Sequence, residues 1–145
     1  MLLNWIDKYL SFLESEHSFV KMPDYKYVRE IHTDFIKGNI VLNVAWDGGY
    51  FIRLFKVPDN LVDDIHAGKI KPAKIDLFIR KNYNLEKLDP GKRIYNSVSG
   101  DNFPEKEIWY VATLLKKNPE ILDGDMSSFR VSNRLIDKLR KKNSR

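Results

Sequence analysis

Three strand-like stretches follow one another along this chain without a helix between them. They cover residues 25–36, 39–46 and 50–57, and the short turns Lys37-Gly38 and Asp47-Gly48-Gly49 join them. Apolar side chains recur at every second position along the stretches, which is typical of strands with one face in a core. Turns this short connect strands that are neighbours and run antiparallel. We therefore expect an antiparallel meander over residues 25–57.

The loop Asp47-Gly48-Gly49 indicates how the second and third stretches pair. With three residues in the loop and a glycine in the left-handed conformation, the cross-strand pairs on one face are all apolar. These pairs are Trp46–Tyr50, Val44–Ile52 and Leu42–Leu54. A two-residue loop would shift the register by one residue and set Arg53 opposite Leu42 in the core, so the longer loop is favoured.

The turn Lys37-Gly38 sets the pairing of the first and second stretches. A tight turn there pairs Ile31 with Val44, and it consequently pairs His32 with Asn43. Polar and aromatic side chains then converge on the face opposite the apolar pairs. The candidate binding residues on that face are Glu30, His32, Asp34, Asn43, Phe51, Arg53 and Phe55.

This polar face allows more than one function. A histidine beside carboxylates suits a general base and an arginine suits an anionic substrate, so one interpretation is a small hydrolase or transferase centred on His32. Spacing places no Ser, Thr or Tyr nucleophile beside His32, so we name no catalytic residue and favour a non-enzymatic protein. The other interpretations are a protein-binding face, which the aromatic residues and Arg53 favour, and an ordinary half-exposed row of cross-strand polar pairs.

The remaining segments supply helices and further possible strands. In chain order, the patterns predict a helix from residue 2 to about residue 19, a short helix over 58–68, strands over 74–80 and 93–98, and helices over 104–118 and from Ser127 or Ser128. This order predicts an α+β fold in a single domain over residues 1–145. We expect an antiparallel sheet of three to five strands, with the N-terminal helix and two C-terminal helices packed on one face. Trp5, Trp46 and Trp109 lie within apolar patterns and are expected in the core or at its edge.

Cysteine is absent from the chain, which excludes disulfides, thiolate catalysis and thiolate metal sites and fits a cytoplasmic protein. Residues 1–8 lack a basic leader followed by a long apolar run, so no signal peptide is expected. No stretch approaches the roughly 20 apolar residues of a membrane span. The histidines His17, His32 and His66 fall on separate predicted elements without ligand spacing, so we expect neither a metal nor a cofactor.

The net charge of +5 is concentrated at the C-terminal end of the chain. Residues 130–145 contain seven basic residues and one acidic residue, a net charge of +6, which leaves −1 for residues 1–129. Such a basic helix could follow nucleic acid phosphates or an acidic protein surface, or it could end in a frayed solubilising tail at 140–145. The candidate nucleic-acid-binding residues are Arg130, Arg134, Lys138, Lys141 and Lys142.

These observations favour a non-enzymatic protein-binding module whose partner is another protein. A small, cysteine-free, single-domain α+β chain without a catalytic signature is similar in type to microbial toxin-immunity proteins and phage-encoded inhibitors. Nucleic-acid binding through the C-terminal helix is the alternative. Sequence alone predicts neither the partner nor whether the polar sheet face is covered.

Overall fold

An antiparallel sheet forms the centre of the computed structural model, which describes residues 2–97 and 103–130. Its strands are β1 (Val20–Lys21), β2 (Tyr25–Tyr27), β3 (Glu30–Lys37), β4 (Ile40–Trp46), β5 (Tyr50–Lys56) and β6 (Lys81–Tyr83). Their order across the sheet is β1-β3-β4-β5-β6, and β2 pairs with the same edge of β3 as β1 does. The α+β class is therefore confirmed, with six strands rather than three to five.

The helices precede, interrupt and follow this sheet. They are α1 (Leu2–Leu10), α2 (Phe12–His17), α3 (Val62–His66), α4 (Arg93–Asn96) and α5 (Phe103–Lys117), and residues 127–130 are also helical. Short 3₁₀ turns occupy Asp59–Leu61, Pro72–Lys74, Leu85–Leu88, Pro90–Lys92 and Pro119–Asp123. None of the helices within residues 2–97 and 103–130 is both long enough and apolar enough to cross a membrane.

The register predicted for the β4–β5 hairpin is confirmed. The pairs Trp46–Tyr50, Val44–Ile52 and Leu42–Leu54 all form, and the same register pairs Asn43 with Arg53. Gly48 has a φ of 106°, a conformation that favours glycine, and the Asp47 N–H donates to the Gly49 carbonyl across the loop at 3.2 Å. The three-residue loop therefore sets the register that buries the apolar face.

The register predicted for β3 and β4 is wrong: each residue of β3 pairs with a residue of β4 two positions beyond the predicted one. The turn residues are Gly38 and Asn39 instead of Lys37 and Gly38, because Gly38 adopts a φ of 57° at the first turn position. Asp34 therefore pairs with Asn43, and the predicted pairing of His32 with Asn43 does not form. The predicted pair Ile31–Val44 is likewise replaced, and Ile31 pairs with Trp46.

The first predicted strand, residues 25–36, is not one strand. It folds back at Val28 and Arg29 into the β2–β3 hairpin, which pairs Tyr25 with His32 and Tyr27 with Glu30. Paired residues share a face of the sheet, so Tyr25 lies on the polar face beside His32 rather than on the apolar face.

Three other predictions are corrected by tertiary contacts. The predicted strand at 74–80 is a loop that follows the 3₁₀ turn Pro72–Lys74, and the predicted strand at 93–98 begins as the short helix α4. The N-terminal helix is interrupted at Ser11 and ends at His17, where Ser18 adopts a φ of 61°. The short helix over 58–68 and the helix over 104–118 are confirmed by the 59–66 helical segment and by α5.

One core lies between the apolar sheet face and the helices. Phe35, Leu42 and Leu54 of the sheet pack with Ile6 of α1 and Leu115 of α5, and all are at most 1% exposed. Trp5, Trp46 and Trp109 are partly buried against this cluster, as predicted. We call it the helix-side core.

A second core covers part of the polar sheet face. The segment 57–80 crosses this face and contributes Val57, Ile65 and Ile75, which pack on Ile36, Val41 and Phe55. We call it the crossover-side core. Because both sheet faces are packed, polar side chains in the middle of the meander lose their contact with water.

The carboxylate of Asp89 links the segment 85–96 to α5. Asp89 is 4% exposed and accepts hydrogen bonds from the Ile94 N–H, the Tyr95 N–H and the Tyr110 hydroxyl at 2.9, 3.1 and 2.8 Å. Burial alone would raise the pKa of Asp89, but these hydrogen bonds together hold it below its usual value. The turn-like sequence Asp89-Pro90-Gly91 therefore anchors this segment.

Candidate functional site

Three of the predicted site residues form a buried polar cluster on the crossover side of the sheet. His32 and Asp34 of β3 and Asn43 of β4 are each at most 1% exposed. The Asn43 side-chain amide donates to Asp34 Oδ1 at 2.7 Å and lies 3.1 Å from His32 Nδ1. These polar side chains therefore form a hydrogen-bonded network closed to solvent, and not the half-exposed row of polar pairs that the sequence allowed.

Tyr25 and the turn Pro72–Lys74 close this cluster from outside. The Tyr25 ring stacks on the His32 ring, with centroids 5.2 Å apart and an interplanar angle of 12°. Its hydroxyl accepts a hydrogen bond from the Ala73 N–H at 3.1 Å, and the Lys71 ammonium lies 5.3 Å from its ring centroid. Burial, followed by the charge of Asp34, raises the pKa of the Tyr25 phenol. The Tyr25 side chain therefore covers the His32 ring and is held in place by these contacts.

Asp34 is the carboxylate inside the cluster. Burial raises its pKa above the usual value, and this effect exceeds the opposing hydrogen bonds from Asn43 and Tyr25 and the charges of His32 and Lys71. Its Oδ2 atom is buried without a hydrogen-bond partner among the described residues. The electrostatic cost of ionising Asp34 is therefore only partly offset in the folded protein.

The geometry around His32 does not support base catalysis. If Nδ1 accepts the Asn43 amide proton, the neutral ring carries its own proton on Nε2, which faces Glu30 Oε1 at 3.6 Å. A general base must reach the proton that it removes. Because His32 is 1% exposed and lies beneath Tyr25, a substrate has no direct approach to this ring.

Two arginines lie on the same sheet face without an acidic partner. The Arg80 guanidinium carbon is 4.5 Å from the Phe55 ring centroid, and that of Arg53 is 5.6 Å from the Phe51 ring centroid. Neither arginine forms an ion pair with any described residue, and Nε of both and Nη1 of Arg80 are buried without hydrogen bonds. Burial, followed by the charge of Arg53, lowers the pKa of Arg80.

The contact with Phe55 does not compensate for the burial of Arg80, which is 5% exposed. A desolvated cation–π contact contributes about 2 kcal/mol. Burying an unpaired ion costs several kcal/mol. Arg80 is therefore held in an unfavourable environment in the free protein.

The outer members of the predicted binding face have different environments. Phe55 is fully buried in the crossover-side core, so it is a core residue. Phe51 is 64% exposed, and Glu30 and Arg53 are half-buried. The seven predicted residues therefore do not form one continuous surface, and only Glu30, Phe51 and Arg53 remain accessible.

The most exposed apolar segment is one that sequence reasoning took for a strand. Leu77, Phe78 and Ile79 are consecutive and are 63%, 98% and 55% exposed. Asp76 holds them in a turn, since its Oδ1 accepts from the Phe78 N–H at 2.9 Å and its carbonyl accepts from the Ile79 N–H at 3.0 Å. We call residues 77–79 the apolar loop.

The apolar loop is surrounded by positive charge. Residues 69–81 contain five basic residues and one acidic residue, Asp76. This density of lysine and arginine around three large apolar residues was a sequence signal for an exposed loop. It was missed because the alternation of Ile75, Leu77 and Ile79 equally fits a strand.

Part of the alternative nucleic-acid site can be located. Arg130 is exposed and lines a cleft of about 480 Å³ together with Lys56, Lys81 and Lys87. The other candidates, Arg134, Lys138, Lys141 and Lys142, and the predicted tail at 140–145 lie outside the described residues. Within the described ranges, no group of three or more His, Asp or Glu residues is arranged to hold a metal ion.

The fold and this surface define an α+β protein with a sealed polar cluster, a pair of unpaired arginines and an exposed apolar loop. Comparisons of the chain with protein families, with curated proteins and with solved structures found no match. Its function must therefore be inferred from these residues.

Proposed function

We propose that this chain is a non-enzymatic protein-binding module that contacts its partner through the apolar loop. The observation that carries the proposal is the exposure of Leu77, Phe78 and Ile79 on a turn that hydrogen bonds hold in place. The closed environment of His32 supports a binding function over a catalytic one.

The physical reason is the hydrophobic effect. Burying one large apolar side chain stabilises a complex by about 1.5–3 kcal/mol. The loop is already ordered by Asp76, so it loses less conformational entropy on binding than a disordered segment would. A solvated phenylalanine on an ordered turn has the character of an interface hot spot.

The charges around the loop indicate the chemistry of the partner. Lys74, Arg80 and Lys81 flank the apolar loop, and Lys71 lies on the neighbouring turn. A complementary surface has an apolar pocket for Phe78 with acidic residues around it. The narrower interpretation, a toxin-immunity or inhibitor protein, belongs to this proposal, and the genes adjacent to this one in its source genome test it.

The experiment compares the wild-type chain with Phe78→Ser as bait in lysates of the source organism, with and without nuclease treatment. The captured protein is identified, purified and titrated against both baits by calorimetry. We expect Phe78→Ser to raise the dissociation constant about 30-fold or more, since loss of a hot spot costs about 2 kcal/mol or more.

Val20→Ser is the matched control, since Val20 is an exposed apolar residue on the distant strand β1 and should leave the affinity unchanged. Equal affinity of Phe78→Ser and wild type would reject the proposal. Capture that disappears with nuclease would favour the nucleic-acid alternative and the basic cleft at Arg130. Binding to anionic phospholipid vesicles in place of a protein would identify the loop as a membrane contact and would also reject the proposal.

A further inference from the structure

Arg53 and Arg80 present unpaired guanidinium groups beside the apolar loop. Arg80 follows Ile79 directly, and its guanidinium turns back over the sheet to the Phe55 ring. Arg53 lies two residues before Phe55 on the same strand and the same face, at a side-chain spacing of about 7 Å. The two guanidinium groups lie over rings of the same strand, and the charge of Arg53 contributes to lowering the pKa of Arg80, so the two positive groups act on one another on the crossover-side face.

No carboxylate of the described residues forms an ion pair with Arg53 or Arg80. Asp34 is bound by the Asn43 amide, and Glu30 faces His32. Glu86 and Glu107 line a cleft of about 290 Å³ together with Arg53, but neither forms an ion pair with it. Among the described residues, the pair thus has unused hydrogen-bond donors on both guanidinium groups.

A guanidinium group presents parallel N–H donors that match the two oxygens of a carboxylate. Half-buried Arg53 is open to a ligand, and 95% of Arg80 is already removed from water before a ligand arrives. Nε of both arginines and Nη1 of Arg80 are themselves buried, so a carboxylate would bind at the remaining guanidinium N–H groups, which lie beside atoms already removed from water. This is the arrangement of a preorganised anion site.

We propose that Arg53 and Arg80 form a binding site for an aspartate or glutamate side chain of the partner protein. On the partner, this acidic residue would lie next to the apolar pocket that binds Phe78. The inference rests on the proposed function and names the chemistry of the partner. The complex would then combine an apolar anchor with a buried, charge-assisted contact.

The first test needs no partner. N-acetylglutamate amide is titrated into the ¹⁵N-labelled protein at constant ionic strength, and the Nε–Hε signals of Arg53 and Arg80 are followed by NMR. N-acetylglutamine amide, which has the same shape without the charge, is the control ligand. We expect a saturable shift of both signals with the glutamate probe only. No shift, equal shifts with both probes, or a response to inorganic phosphate alone would overturn the proposal.

The second test separates a binding role from a structural role. Arg80→Met keeps most of the side-chain volume and removes the charge. We expect it to raise the melting temperature of the free protein and to abolish the shift at Arg53. Arg29→Met, at an exposed arginine of the β2–β3 turn, is the matched control and should change neither quantity. A lower melting temperature for Arg80→Met would show that the charge is structural and would overturn the proposal.

The purified partner then distinguishes this inference from the proposed function. We expect Arg53→Gln to weaken the complex about tenfold or more and to reduce its sensitivity to salt. If Phe78→Ser weakens binding while Arg53→Gln does not, the apolar loop is the interface and the proposed binding site for a carboxylate is wrong. If the glutamate probe shifts both arginine signals but Phe78→Ser binds like wild type, the anion site stands and the proposed interface is wrong.

Discussion

At the scale of single residues, the fold disfavours ionisation of the buried carboxyl of Asp34. Its pKa is raised because burial outweighs the hydrogen bonds from Asn43 and Tyr25 and the charges of His32 and Lys71. The folded protein therefore binds this proton more tightly than the unfolded chain does. The stabilisation from the protonated group is fully present below about pH 4 and is lost as the pH rises through the folded pKa.

Replacing Asp34 by asparagine keeps an acceptor for the Asn43 amide and removes the ionisation. We expect Asp34→Asn to raise the free energy of unfolding at pH 7, and the difference from wild type to shrink below about pH 4, where Asp34 is protonated in both states. Urea unfolding at a series of pH values measures this difference. A destabilised Asp34→Asn protein at pH 7 would show that the surrounding hydrogen bonds and charges fully compensate the buried carboxylate.

At the scale of elements, the β2–β3 hairpin has a strained residue in its turn. Val28 has a φ of 60°, which a β-branched residue adopts only at a cost, and its side chain is 74% exposed. This hairpin brings Tyr25 over His32, so the strained turn is the element that seals the polar cluster.

Relieving that strain should stabilise the protein. We expect Val28→Gly to raise the free energy of unfolding by about 1 kcal/mol, because glycine adopts positive φ without a steric penalty. Val20→Gly is the control, since Val20 has no positive φ and glycine in a strand should instead lower stability. Thermal unfolding of both variants measures these opposite changes in stability. A loss of stability in Val28→Gly would show that Val28 is not strained.

At the scale of the whole molecule, one sheet carries a core on each of its faces. The helix-side core contains all three tryptophans at its edge, and the crossover-side core is built around Ile65 and Phe55. The strands β3, β4 and β5 contribute side chains to both cores. Loss of one core should therefore destabilise the other.

Tryptophan fluorescence can test this coupling, because it reports only on the helix-side core. Ile65 is 1% exposed in the crossover-side core, and we expect Ile65→Ala to lower the free energy of unfolding by about 3 kcal/mol as seen by fluorescence. Leu77→Ala, at an exposed position of the apolar loop, should change it by less than about 0.5 kcal/mol. An unchanged fluorescence midpoint for Ile65→Ala would mean that the crossover-side segment unfolds separately.

The sequence by itself determined the features that depend on neighbouring residues. The β4–β5 register followed from a three-residue glycine loop and an alternating apolar face, and α5 followed from Pro104, Pro119 and a helical apolar stripe. The tertiary structure decided the rest. The burial of His32, Asp34 and Asn43 depends on a hairpin that folds Tyr25 back and on a segment, 57–80, that crosses the sheet. The free energy of those contacts comes from packing between parts of the chain that are distant in sequence. The periodicity of apolar residues within one segment therefore cannot predict them. For the same reason, only the fold shows that Arg80 is buried without an ion-pair partner among the described residues and that Phe78 faces water.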